Sequence, residues 1–179
     1  MVKYIIIGKS LCTTIFIFIC INSLSQTNSP TLHETQLWVK DIIENYGVKG
    51  NLVNYYYSVD FSKNGLLIIT ENQNWRGSKN PQISEYTVPI KLMEKVQYEF
   101  RDINVLVWIK CKSSVNGKVF NPIITKSFGN DRFIEGENIS GITLLFNISF
   151  KENDLPNRFV KAINHLIELN GGEIVKEVF

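Results

Sequence analysis

Apolar residues in this chain recur at two different periods, and the changes between them divide it into elements. From Thr31 to Tyr46 the period is helical. Trp38, Ile42 and Tyr46 fall four apart, and Val39 and Ile43 widen the stripe, so one face is apolar. Thr31 followed by Glu34 forms a capping box, in which the hydroxyl takes one orphan amide and the carboxylate reaches back to another. Gly47 is expected to end the helix by supplying the left-handed conformation with which helices commonly finish.

From residue 52 the period drops to two. Val53, Tyr55, Tyr57, Val59 and Phe61 alternate with Asn54, Ser58 and Asp60, which predicts a strand over 52–61 with one buried face. Asn64-Gly65 is a strong hairpin signal because both residues tolerate positive φ, and 66–70 returns as the partner strand. Residues 71–82 are polar throughout and read as a loop, with Trp75-Arg76-Gly77 inside it. Further strands are predicted over 83–88, 95–100 and 103–111, with a weaker one over 118–124. Residues 125–141, rich in Gly, Asn and charge, read as a long exposed loop.

The alternation then returns over 142–150, with Ile142, Leu144, Phe146, Ile148 and Phe150 on one face. That makes about seven strands, antiparallel because the connections are too short for crossover helices. A second helix closes the chain. Asp154 is its expected cap, Pro156 falls in the first turn, and Leu155, Phe159, Ile163 and Leu166 make a stripe widened by Ala162 and Ile167. Gly171-Gly172 terminates it.

The first 25 residues follow neither period. Lys3 and Lys9 precede an apolar run from Leu11 to Leu24, and Ser23-Leu24-Ser25 places small residues at the −3 and −1 positions of a signal-peptidase site. The run is too short and too interrupted for a convincing membrane span. An uncleaved anchor is one alternative. Lipidation at Cys20 is another, although Ile19 stands before it where a lipoprotein signal takes a small residue. The expected organisation is a signal peptide over 1–25, a short tether over 26–30 and one α+β domain over 31–179. The protein is therefore expected to be secreted or periplasmic, with no membrane insertion after cleavage.

Cleavage changes what composition implies. The whole chain has 19 Lys and Arg against 17 Asp and Glu. Lys3 and Lys9 leave with the leader, so the remaining charges balance and give no electrostatic reason to expect nucleic acid as a partner. Cys12 and Cys20 leave too. Cys111 then stands alone in the apolar run Val105-Leu106-Val107-Trp108-Ile109, a small core residue with no disulfide partner.

Seven strands followed by a single amphipathic helix resemble the pleckstrin-homology-like barrel, whose bent sheet is plugged at one open corner by its last helix. The resemblance spans 52–170 and rests on element order. It implies an antiparallel seven-strand barrel-like sheet with an N-terminal helix and a C-terminal capping helix. The capped first helix, the strands and the closing Arg158-Phe159-Val160-Lys161-Ala162-Ile163-Asn164-His165-Leu166 segment also resemble small secreted proteins of Bacteroidota. That second likeness implies a compartment more than an activity. Pleckstrin-like domains that bind inositol phosphates use several cations around the first hairpin, where this chain has only Lys63.

Chemistry-bearing motifs are few. His33 and His165 have no second ligand at metal spacing, so no zinc or iron site is expected. No nucleophile elbow is present and no glycine-rich phosphate loop. Asp131, Glu135 and Glu137 lack the dense spacing of a calcium loop and read as solvated. Neither catalytic residues nor a cofactor are expected.

Trp75 and Arg76 stand out as candidate binding residues, because no periodic pattern gives that tryptophan a core position. The expected function is an exported, non-catalytic binding module for a protein or glycan outside the cytoplasm. The alternatives are an exported hydrolase whose site assembles only in three dimensions and a lipocalin-like carrier of a small ligand. Processing is directly measurable: the intact mass of the exported protein should begin at Gln26, allowing for cyclisation of that glutamine, and a retained Met1 would overturn the cleaved leader.

Overall fold

The computed structural model describes residues 29–115, 118–119, 121–129, 132–134 and 137–174. The leader and its cleavage site lie outside them. The folded unit starts with helix α1 (Leu32–Asn45). Then come β1 (Val53–Phe61), β2 (Leu66–Trp75), β3 (Gln82–Pro89), β4 (Met93–Phe100), β5 (Asn104–Cys111), β6 (Ser114–Val115) and β7 (Lys118–Val119). They are followed by β8 (Ile123–Gly129), β9 (Arg132–Ile134), β10 (Asn138–Ile139), β11 (Gly141–Asn147) and helix α2 (Leu155–Leu169).

Every strand pairing is antiparallel. The larger sheet runs β1-β2-β3-β8-β10, with β9 paired to β8; the smaller runs β11-β5-β4; β6 and β7 form a separate ribbon. The architecture is α+β in two principal sheets. No closed barrel forms among the described residues. Residues 125–141, expected as a loop, hold most of β8 together with β9 and β10. Short strands with polar faces carry too little alternation to be read from sequence.

A short extended segment after α1 lies between the edges of the two sheets. Gly47 bridges to Phe146 and the Asn147 amide donates to the Tyr46 carbonyl (2.8 Å), while the Tyr55 amide donates to the Val48 carbonyl (2.8 Å). Gly47 was expected to adopt a left-handed helix end, but its φ is not positive. Its smallness serves a close approach instead, since a Cβ there would lie 2.2 Å from the Tyr55 carbonyl oxygen. Farther along β1, α1 closes the same edge with side chains: the Val59 amide donates to Glu44 Oε1 (2.8 Å) and Lys40 Nζ donates to the Val59 carbonyl. A strand edge left open invites pairing with other chains, and these contacts remove it.

The first hairpin also departs from expectation. Ser62 pairs with Leu66 around a three-residue loop: the Ser62 amide donates to the Leu66 carbonyl (2.9 Å) and Gly65 N–H to the Ser62 carbonyl (3.1 Å). Only Gly65 has positive φ, +72°; Asn64 does not. This is a turn followed by a left-handed glycine, not a two-residue turn with both residues left-handed.

The inner faces of both sheets and the stripes of both helices make one core. Leu67, Ile69, Val88, Val105, Ile109, Leu144, Phe146, Phe159 and Ile163 are fully buried. Phe146 contacts Tyr57, Phe150 and Phe159 edge-on, with centroids 6.1, 4.7 and 6.0 Å apart. The expected alternation through Ile148 breaks down. β11 ends at Asn147, whose side chain accepts the Ser149 amide (3.0 Å) and turns the chain into a 3-10 segment. Ile148 is thereby exposed while Phe150 turns back inward.

Asp154, expected to cap α2 through a backbone amide, sits in left-handed backbone at φ +57° and makes no such bond; its carboxylate accepts from the Asn157 side chain. The buried stripe on α2 is otherwise as the spacing predicts. Truncating Phe159 to alanine should cost about 3–5 kcal/mol, the usual range for a buried ring. Chemical denaturation measures it, and a loss below about 1 kcal/mol would mean that α2 is not docked through this side chain.

Candidate binding face

The segment 71–82, expected as a loop, is mostly strand. β2 runs to Trp75 and β3 begins at Gln82, leaving only 76–81 as the connection. Asn72, Gln73 and Asn74 show no apolar alternation, so the pattern hides a strand that the β1 ladder specifies by hydrogen bonding.

Trp75 is therefore the last residue of β2, paired with Val53. A tight turn holds it: the Ser78 amide donates to the Trp75 carbonyl (3.0 Å), Gly77 takes φ +85°, and the Arg76 amide donates to the Leu52 carbonyl (2.8 Å). The indole remains 48% exposed on backbone that is fixed. Arg76 is exposed beside it.

Register shows what shares a face with Trp75. Side chains two apart on a strand, and residues directly paired across strands, point the same way. One row is Val53 and Trp75. The next is Tyr55, Gln73 and Gln82, and the third is Tyr57, Glu71, Ser84 and Ser127. Beyond lies the core row of Val59, Ile69 and Tyr86. Exposure falls along this series, from Trp75 and Gln82 at the outer end, through half-buried Tyr55 and Gln73, to buried Glu71. Arg76 lies in the turn beyond the rows. Of these residues, only Trp75 and Arg76 stand out in the sequence as binding candidates.

Glu71 is the unusual member. It is 4% exposed and has no cationic partner among the described residues. Burial pushes its carboxyl above the ordinary carboxylate value, and the Gln73 amide with the nearby Tyr57 hydroxyl partly offsets that. The Gln73 bond is short, Nε2 to Oε1 at 2.6 Å. Tyr57 is raised in turn by burial and by the Glu71 charge, and its hydroxyl oxygen accepts the Leu145 amide (2.9 Å) from β11. Tyr86 and Tyr55 are likewise raised by burial and then by Glu71.

Acid–base hydrolysis of glycosides needs a second carboxylate facing the first. The cross-strand neighbours of Glu71 are Tyr57 and Ser84, and its neighbours along that face are Ile69 and Gln73. None of these is acidic.

The other chemical candidates stay apart. Cys111 is fully buried, and burial pushes its thiol up to about 12, so it is inert at neutral pH. His33 is exposed, and His165 Nδ1 lies 3.9 Å from Glu168 Oε2 within α2. No group of three metal-ligating side chains occurs among the described residues. Asp131 and Glu135 lie outside those residues, and Glu137 is exposed. Comparison with protein-family models, with curated proteins and with solved structures finds no match.

The raised carboxyl of Glu71 has a measurable consequence. The folded chain holds this proton more tightly than the unfolded chain does. Ionisation therefore penalises folding progressively as pH rises from the ordinary value of 4.5 through the folded value. The Tm of Glu71→Gln minus that of the wild type should become more positive between about pH 4 and pH 7, a window bracketing that ordinary value. A flat or falling difference would show that ionised Glu71 is not penalised in the fold.

Proposed function

We propose that this chain is an exported, non-catalytic binding module that meets a protein or glycan outside the cytoplasm through the surface at Trp75 and Arg76. The observation that carries the reading is a large indole left nearly half exposed on fixed backbone. Such exposure adds nothing to folding, and tryptophan and arginine are the residues most enriched where binding energy concentrates. The leader pattern supports export, and no helix among the described residues is long and apolar enough to cross a membrane. The two sheets with α2 docked beside β4 fit an open relative of the pleckstrin-homology-like plan, and that kinship is part of the proposal.

A carrier would need a hollow between the sheets, and that space holds Leu67, Ile69, Ile109, Leu144, Phe146 and Phe159 at full burial. A hydrolase would rest on Glu71, which lacks a facing carboxylate.

The test places a photo-reactive benzoyl-phenylalanine at Lys79, exposed in the same turn as Arg76, in the producing cells. The benzophenone inserts into C–H bonds, so it traps protein and glycan alike. A covalent adduct of defined mass is expected from this position and not from Lys161 on α2. Trp75→Ala in the same background should abolish the adduct while changing stability by less than about 1 kcal/mol, as surface substitutions do. Irradiation without an adduct at Lys79, or a Trp75→Ala chain that melts far below the wild type, would overturn the proposal.

A further inference from the structure

The face that ends at Trp75 also carries the half-buried ring of Tyr55. Tyr55 and Gln73 are directly paired, Gln82 continues their row on β3, and Trp75 is the diagonal neighbour of Tyr55, about 7–8 Å away at ordinary strand spacing. Several polar groups in this strip have no protein partner. Gln73 gives one N–H to Glu71; its side-chain oxygen, the Tyr55 hydroxyl and the Gln82 amide make no hydrogen bond among the described residues.

Gln73 is also oriented in advance. The carboxylate that holds it is buried at 4% exposure and would cost folding free energy unless hydrogen-bonded. Fixing the Nε2 side toward Glu71 turns the amide oxygen away from it, so the outer end presents a defined acceptor. Tyr55 adds a hydroxyl that donates or accepts, and Gln82 adds donors and an acceptor.

A face of this composition selects its ligand by chemistry. It carries amides and a hydroxyl in a row, an indole at the end with Arg76 in the turn beyond it, and, among the described residues of these rows, its one carboxylate at the buried end. A neutral ligand dense in hydroxyl groups matches the amide row, and one with an apolar C–H face matches the indole. A protein partner would be expected to meet a wider apolar patch. Here the apolar part is Trp75 with half-buried Val53, and Leu52, 72% exposed, stands just before Val53 at the edge of the strip; the rows inward of it are amides and a phenol.

We infer that Trp75, Tyr55, Gln73 and Gln82 form a binding site for a neutral glycan, with the indole stacking on a sugar ring and the amide row hydrogen-bonding the hydroxyls of that unit or its neighbour. The inference rests on the binding-module reading above and narrows it to one ligand class.

The experiment titrates the isotopically labelled protein with soluble oligosaccharides of glucose, mannose, xylose and N-acetylglucosamine, following the Trp75 Nε1–H resonance and, in every variant, the backbone amide resonances of β1 and β2. At least one series should shift that resonance saturably. Trp75→Ala should abolish the binding, and Gln73→Ala should weaken it about tenfold or more, a change of about 1.4 kcal/mol. Tyr56→Ala, on the opposite face of β1, should leave it unchanged. The amide spectrum of each variant reports whether it is folded.

If no oligosaccharide shifts Trp75, or if binding survives both Trp75→Ala and Gln73→Ala, the inference is overturned. The two readings fail separately. A protein trapped at Lys79 with no response to any sugar removes the glycan and leaves the binding module, whereas no adduct and no sugar response removes both.

Discussion

Phe146 touches Tyr57, Phe150 and Phe159, so one ring joins the larger sheet, the end of β11 and the last helix. Edge-to-face contacts of this kind add specific geometry to the burial of large apolar area. Tyr57 extends the junction with a polar bond, its hydroxyl accepting the amide of Leu145 where β11 has no neighbouring strand. The same hydroxyl lies against Glu71. The position of the candidate face is therefore set by the core: the aromatic junction fixes Tyr57, Tyr57 is paired with Glu71 across the strands, and Glu71 orients Gln73 toward the outer strip.

This chain of contacts runs down a gradient of burial. At the inner end every group is dry and packed. At the outer end Trp75 and Gln82 face solvent. A carboxylate placed at the dry end raises the energy of the fold, and an apolar residue between Tyr57 and Ser84 would avoid that cost. Polar groups retained against such a cost commonly mark places where geometry matters beyond stability.

The sequence exposes parts of this design and hides others for identifiable reasons. Both helices are legible because their stripes are wide and their ends are marked by Thr31, Pro156 and Gly171, while Gly47 follows the first helix without the left-handed conformation expected of it. β1 and β11 are legible from alternation, and β5 from a continuous apolar run. The outer half of β2 is not, since its inward side chains are Glu71 and Gln73 and its outward ones are Asn72 and Asn74.

The hairpin held the missing information. Ser62 opposite Leu66 implies Tyr57 opposite Glu71 and Val53 opposite Trp75 by simple counting. A two-residue turn at Asn64-Gly65 shifts that count by one and places Asn72 opposite Tyr57, reversing which face every side chain of β2 occupies. Trp75 and Arg76 stand out from composition; Tyr55, Gln73, Gln82 and Glu71 emerge only once register is known. β8, β9 and β10 escape notice because Gly, Asn and charge dominate their stretch, and partners distant in sequence impose the pairing.

The segment from Tyr46 to Lys49 meets β1 a few residues later and β11 about a hundred residues later. A chain that emerges N-terminus first can make the near contacts at once, but the far ones wait for the last strand. Until then the carbonyls of Tyr46 and Gly47 have no strand beside them. Contacts of such long sequence separation form late, because loop closure must precede them. Completion of the fold thus belongs to its final quarter, and a chain interrupted before Gly141 would keep an open, pairing-competent edge next to its first helix.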